Sequence, residues 1–341
     1  MRDLVVVGGG PAGLATALHG VRAGLRVTVC ERRTGVIDKA CGEGLMPGAV
    51  RALEDLGVRP EGSRLEGIRY VAGPRQAESR FRAGPGRGVR RTTLHAALRE
   101  AALAAGVEIV ERAVADVRQV GDAVLVDGEP ASWVVAADGL HSPVRRRLGL
   151  EGAPVARRRY GQRRHYRTAP WTSFVEVHWA DAAEAYLTPV GPELLGVALL
   201  SGRRGSFEEH LAGFPSLRER LASAAPAGEV RGAGPLRQQV RSRVAGRVLL
   251  VGDAAGYVDA LTGEGVALAV AQARAAVAAI VDGEPQRYER AWHALTRRYR
   301  LLTTSLLATT RLPPLRRALV PAAQRLPAVF DAAVNALATP A

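Results

Sequence analysis

Leu4-Val5-Val6-Val7-Gly8-Gly9-Gly10-Pro11-Ala12-Gly13 is the stretch on which the fold turns. Its apolar run has the pattern of a buried strand, and the periodicity after it predicts a helix over 12–23. Glycines occupy the three fixed positions of a G-x-G-x-x-G turn. Gly8 permits the tight turn, Gly10 lets a pyrophosphate come close to the backbone, and Gly13 lets helix and strand pack together. Pro11 and Ala12 open the helix, whose free N–H groups and partial positive charge suit an anion. A second strand predicted over 26–30 runs into Glu31, eighteen residues after Gly13, with Arg32 behind it. An acid at that strand end is placed to accept hydrogen bonds from ribose hydroxyls. The opening unit therefore reads as a cradle for a dinucleotide.

Outward from it, a glycine-rich segment at 40–48 leads to a short helix over 49–56. A hairpin over 65–70 and 78–82 turns at Gly73-Pro74. A long helix over 92–105 stops at Gly106, and short strands follow at 108–113, 115–120, 123–126 and 133–137. Composition changes from Pro154 to Gly234. Strand patterns at 160–167, 174–179, 185–188 and 194–200, separated by turn signals, predict a mostly antiparallel sheet inserted into the first unit. Helical stretches at 207–214 and 215–223 close it. Residues 247–251 return to the buried parallel-strand pattern, a helix follows over 265–281, and the tail is helical over 288–311 and 315–337. Prolines at 313, 314, 321 and 327 set its bends. The expectation is an α/β fold with a discontinuous Rossmann-like domain over 1–64, 86–153 and 240–285. A second domain takes 65–85 and 154–239, and a helical cap takes 286–341.

The bulk properties fit a globular protein: 341 residues, 47% hydrophobic and 23% charged. With Asp3 already opening a strand, no targeting segment is expected ahead of it. The apolar stretch 266–281 contains Gln272 and Arg274, so no transmembrane segment is expected. Two cysteines and no metal-ligand spacing predict no disulfide framework and no metal site, in a reducing cytoplasm. The net charge of +14 rests almost wholly on arginine, Lys39 being the one lysine. Its densest cluster, Arg157 to Arg159 with Arg163 and Arg164, has no recognition helix, so no nucleic-acid partner is expected. Attraction to an anionic membrane surface, as a peripheral contact, stays open.

Two further segments follow apolar strands: Ala137-Asp138-Gly139-Leu140-His141-Ser142-Pro143-Val144-Arg145 and Val251-Gly252-Asp253-Ala254-Ala255-Gly256. With the glycine turn, and in this order, they resemble the flavoprotein monooxygenases of the p-hydroxybenzoate hydroxylase fold, with their relatives the geranylgeranyl reductases and flavin halogenases. The resemblance covers residues 1 to about 285. It implies FAD in a glutathione-reductase-type domain, with an inserted substrate sheet and a C-terminal helical cap. By resemblance Asp138 and Gly139 lie near the cofactor, Gly252 and Asp253 bind its ribityl–pyrophosphate part, and Arg91 contacts FAD from the start of the long helix. From the residues alone, Asp138 and Asp253 could each be helix caps instead. The helix N-terminus at Thr262-Gly263-Glu264-Gly265-Val266 can face the flavin pyrimidine edge and stabilise its anion.

Gly256 stands where aromatic hydroxylases of this fold usually carry histidine. Lys39-Ala40-Cys41-Gly42-Glu43-Gly44 resembles the cysteine–glycine segment of the geranylgeranyl-reductase-like branch, which places Cys41 and Gly42 beside the flavin. Cys41 is then a proton donor or a pocket-lining thiol. Tyr186, in Tyr186-Leu187-Thr188-Pro189, with His178 and Trp179, is expected to face a pocket for a small hydrophobic substrate. Cys30, inside a strand, is packing. Lys39 and the tryptophans do not match the halogenase pattern, so halogenation is not expected. NAD(P)H is expected as a transient co-substrate, because no second glycine turn exists. The expected reaction is hydroxylation of a phenolic or polyketide ring through a flavin C4a-hydroperoxide. The alternatives are reduction of isoprenoid double bonds and a non-redox flavin-bound catalyst or binding protein.

Overall fold

Residues 2–181 and 183–338 are described by a computed structural model. Strand Arg2–Val7 pairs in parallel with Val27–Glu31 on one side and Glu129–Ala136 on the other. Glu108–Glu111 extends the sheet beyond Val27–Glu31, and Val248–Leu250 extends it beyond Glu129–Ala136. Successive residues of the central strands, such as Leu4, Val5 and Val6 or Val248, Leu249 and Leu250, are buried on both faces, which is why they are continuous apolar runs. An antiparallel ribbon, Val117–Val120 with Ala123–Val126, and the short Val244–Ala245 bring the sheet to eight strands. Helix Pro11–Arg22 packs between Arg91–Ala104 and Gly265–Val281. Val5, Val29, Leu98, Val135, Leu249 and Ala273 lie in one fully buried core.

A second sheet has seven strands in the order Ala225–Ala233, Tyr160–Arg167, Leu194–Ser201, Ala183–Gly191, Phe174–Trp179, Gly67–Ala72 and Arg75–Arg80. Every neighbour is antiparallel except Phe174–Trp179 beside Gly67–Ala72. Helices Gln286–Thr310, Pro313–Arg325 and Pro327–Ala338 cap its far side. Trp179, Tyr186, Leu261, Leu307 and Val320 share the core between sheet and cap. Among the described residues no helix is long and apolar enough to cross a membrane.

Four features depart from the expected pattern. The strand Ala225–Ala233 has no counterpart in the sequence reading, because it is an edge strand with mostly exposed residues and so lacks clear apolar alternation. Gly44–Leu45, Ser63–Leu65 and Gly86–Gly88 form a small third sheet, too short to carry a periodic signal. Pro321, expected to set a bend, lies inside the helix Pro313–Arg325, while the break before Pro327 falls where a bend was expected. The arginine cluster faces inward in part, with Arg163 buried and ion-paired to Asp38.

Candidate cofactor cleft and active site

The glycine turn sits at the carboxyl end of the parallel strands. A Cβ on Gly13 would stand 1.8 Å from the Gly8 carbonyl oxygen, so glycine there is required by the turn itself. Gly10 is different: its backbone is extended, with φ −73° and ψ 179°, and a Cβ would meet nothing within 4 Å. The protein alone does not demand glycine at that position; a ligand lying on the backbone would. Pro11 and Ala12 begin the helix as expected. Glu31 holds the turn, accepting the Gly9 N–H at 2.8 Å and the Arg33 N–H at 3.0 Å. Arg32 is exposed and outside this network.

His95, which the sequence reading passed over, holds the turn from the other side. Ile37 N–H donates to its Nδ1 at 3.2 Å, leaving the proton on Nε2, which donates to the Gly9 carbonyl at 3.0 Å. Burial lowers its pKa, keeping it neutral. It lies one helical turn beyond Arg91, and that spacing was the available signal.

Arg91 is buried at the start of its helix, and its Nη1 has no hydrogen-bond partner. Burial lowers its pKa, while Cys41, Asp253, Asp38 and Glu43 lie within electrostatic reach and oppose the shift. Its backbone N–H donates to Glu43 Oε1 at 2.8 Å. The other carboxylate oxygen of Glu43 is 2.6 Å from His165 Nε2. Glu43 has a left-handed φ of 61°, uncommon for a residue with a side chain, and both its oxygens are held. Thr188 Oγ1 donates to the Gly42 carbonyl at 2.8 Å, and Arg163 donates to the Lys39 carbonyl at 3.1 Å. The second sheet thus clamps the segment that carries Cys41. The Cys41 sulfur accepts the Glu43 N–H at 3.4 Å. Partly open to the cleft but ringed by protein, the thiol is pushed up in pKa by desolvation, with Arg91 pulling the other way. It keeps its proton at neutral pH.

Asp138 is a cap in part: its Oδ2 accepts the Val144 N–H at 3.1 Å, while Oδ1 is buried without a partner. Gly139 follows with φ 87°. Arg145, almost fully buried, donates to the carbonyls of Leu140 at 2.9 Å and Ala254 at 3.1 Å, and to Gln238 Oε1 at 3.0 Å. That guanidinium, unassigned in the sequence reading, joins the Asp138–Gly139 and Gly252–Asp253 segments. Gly252 N–H donates to Gln272 Oε1 at 2.8 Å. The Asp253 carboxylate accepts no hydrogen bond from any described residue and caps nothing, so it is left with Lys39, Arg91 and Arg145 as charged neighbours. The Asp253→Ala variant is therefore expected to keep its fold stability and to lose about 1.5–3 kcal/mol of FAD affinity, the range for a charged hydrogen bond. Titration of FAD into the apoprotein, with a urea melt beside it, checks this. A loss of about 1 kcal/mol in stability with affinity unchanged would mark Asp253 as a cap.

Gly263 lies beside Met46, Gly265 opens helix Gly265–Val281 with nothing near its α-carbon, and Val266 is half-buried. Between them Glu264 is buried with Oε2 unpartnered, and desolvation pushes its pKa up to about 7. An acid whose folded pKa is raised favours the fold while protonated, and that advantage disappears as pH rises from its unfolded value through about 7. Glu264→Gln should match wild-type stability near pH 4 and exceed it by about 1–3 kcal/mol near pH 8. Denaturant melts at the two pH values measure the difference, and a pH-independent gap would contradict it.

Tyr186 is buried, and its hydroxyl donates to the Leu261 carbonyl at 3.0 Å, fixing the strand against the loop that leads to Thr262. Trp179 shares that core. His178 does not join them: adjacent strand residues face opposite ways, and its Nε2 lies 3.1 Å from Glu176. Cys30 is buried in Val27–Glu31.

The residues present fit a flavin dinucleotide. The open approach to Gly10, the unpartnered Arg91 Nη1 and Asp138 Oδ1, and the unoccupied acceptor Asp253 belong to one cleft. Residues 1–175 match the model of a family described as FAD binding domain. The chain is 30% identical over 299 residues to the menaquinone reductase of Mycobacterium tuberculosis, covering 77% of this chain and 72% of that one. It is 27% identical over 300 residues to digeranylgeranylglycerophospholipid reductase 1 of Methanothermobacter thermautotrophicus, covering 77% and 73%. The flavin-dependent brominase Bmp2 superposes with a TM-score of 0.84 over 99% of this chain and 93% of its own, at 16% identity, which is a likeness of fold alone.

Proposed function

The chain belongs to the FAD binding domain family, an FAD-dependent oxidoreductase, and from that premise we propose that it reduces carbon–carbon double bonds of an isoprenoid chain. The observation that carries this reading is the Cys41 thiol, kept protonated and clamped by the second sheet in the cleft that holds Arg91 and Asp253. Relatives that span most of the chain are named as reductases, and one is named for a lipid with geranylgeranyl chains. FAD held in this cleft would supply hydride, with NAD(P)H as its reductant.

The protein's own share is position and a proton. Glu31 and His95 hold the glycine turn for the pyrophosphate, and Arg91 and Asp253 meet the cofactor farther along the cleft. The Cys41 sulfur gives its proton to the second alkene carbon and is reprotonated from water. Trp179, Leu261 and Leu307 form the apolar core between the second sheet and the helical cap, beside the loop that leads to Thr262. Hydroxylation of an aromatic ring, the expectation drawn from the sequence, becomes the second reading, favoured by 46% identity over 76 residues to the 6-methylpretetramide 4-monooxygenase of Streptomyces rimosus.

Anaerobic incubation with NADPH and a geranylgeranyl lipid separates the two. Reduction predicts a mass gain of two hydrogens per double bond without oxygen. Failure of that gain, together with oxygen-dependent NADPH consumption on a phenol, would overturn it.

A further inference from the structure

Behind the turn Gly252–Ala255 lies a hollow of about 300 Å³. Its walls are segment 237–243, that turn, the first half of helix Gly265–Val281 and the helix Gln286–Thr310. None of residues 8–13, 31, 39–46, 91 or 138 lines it, so it stands apart from the cofactor cleft while sharing Gly252, Asp253 and Gly265 with it.

Three guanidiniums, Arg237, Arg243 and Arg300, line this space. Arg243 is 6% exposed and lies over the Trp292 ring, 3.7 Å from its centroid. Its Nε donates to the Ala255 carbonyl at 3.2 Å and its Nη1 to Glu289 at 2.9 Å, leaving Nη2 without a hydrogen bond. Neither Arg237 nor Arg300 forms an ion pair with a described acid. The one acid in the lining is Asp253, at the wall shared with the cleft. Burial and the nearness of Arg243 and Arg237 lower the pKa of Arg300; of the three, Arg243 alone is paired with an acid, Glu289.

The geometry points to a site for the phosphate of an organic phosphate ester. Planar guanidinium forks match phosphate oxygens, and several converging forks hold a dianion better than a carboxylate. The volume is at the lower end for small-molecule sites and exceeds what a bare ion fills, so the phosphate carries an organic group. Arg300 and Thr304 at the rim are exposed, which leaves that group a way out to solvent. The site adjoins the turn assigned to the cofactor: Arg243 holds the Ala255 carbonyl and Gln272, in the lining, holds the Gly252 N–H. An occupant therefore bears on the turn that carries Asp253.

The ester could come from a nucleotide or from a glycerol-phosphate headgroup, and calorimetric titration of the FAD-loaded protein distinguishes them. Inorganic phosphate, adenosine 2′-monophosphate and glycerol 3-phosphate are titrated at constant ionic strength, since surface binding alone would follow salt. One ester is expected to bind saturably, about tenfold or more tighter than inorganic phosphate. The adenosine ester binding tighter assigns the site to a nucleotide, and the glycerol ester binding tighter assigns it to a headgroup. Arg237→Gln combined with Arg300→Gln should weaken that ester about tenfold or more while FAD content stays unchanged. Arg300→Gln alone, at an exposed position, serves if the double variant is unstable, with a smaller loss expected. No saturable binding by any of the three overturns the proposal. So does binding in which inorganic phosphate equals the esters, or in which the variants bind as tightly as wild type.

Discussion

Gly10→Val should yield a folded, colourless protein. The extended backbone at Gly10 accepts any side chain, and a Cβ there meets no protein atom within 4 Å. Folding has no reason to suffer. What the valine occupies is the space a pyrophosphate needs against the helix N-terminus, so FAD affinity should fall by about 100-fold or more, roughly 3 kcal/mol. Gly13→Val makes the contrast, because its Cβ would lie 1.8 Å from the Gly8 carbonyl oxygen. That variant should lose the fold, at a cost above about 4 kcal/mol, and the cofactor with it. Far-UV circular dichroism and FAD titration on both proteins read the difference. A Gly10→Val protein that stays yellow would remove the glycine turn from the cofactor site.

Cys41→Ser should lower alkene reduction by about 100-fold or more, within the range for losing a positioned general acid. FAD content and the rate of flavin reduction by NADPH should not change. Serine is nearly isosteric, and the one hydrogen bond at this position, from the Glu43 N–H, is as well accepted by a hydroxyl as by sulfur. What serine lacks is acidity: even with its pKa raised by desolvation, a thiol releases its proton in the transition state far more readily than an aliphatic hydroxyl. Single-turnover measurement after anaerobic reduction isolates the step. Turnover within a few-fold of wild type, with flavin reduction intact, would take the proton-donor role from Cys41 and return aromatic hydroxylation to the front.

The parallel strands, the glycine turn and helix Gly265–Val281 were legible because their signals are local: apolar runs, glycine spacing, 3.6-residue periodicity. The strand Phe174–Trp179 was found for the same reason, but its parallel partner Gly67–Ala72 lies far away in sequence, and no pattern in either names the other. The edge strand Ala225–Ala233 was missed because it owes its conformation to pairing with Tyr160–Arg167. In the site, Glu31 was readable from its position after a strand, while Arg91 and Asp253 were implied by the family resemblance. Glu43, His95 and Arg145 were not readable, since each acts through contacts between distant segments, and the burial that raises the pKa of Glu264 leaves no local signal. Arg145 spans more than a hundred residues to reach Ala254. His178 was misplaced because strand alternation puts it on the face opposite its neighbour Trp179.

The order of the strands in the first sheet has a bearing on how the protein is made. Glu129–Ala136 emerges from the ribosome more than a hundred residues before Val248–Leu250, the neighbour that covers its outer edge. At about 5–20 residues per second, that edge stays unpaired for several seconds or more of synthesis. A nascent chain halted before residue 250 also lacks Asp253 and the helix that follows, so it should hold no flavin however well its first half has collapsed. Truncation near residue 175, where the match to the family model ends, should accordingly give an aggregation-prone fragment with an open strand edge. Yellow colour in such a preparation reports complete chains, and its onset during translation dates the closing of the sheet.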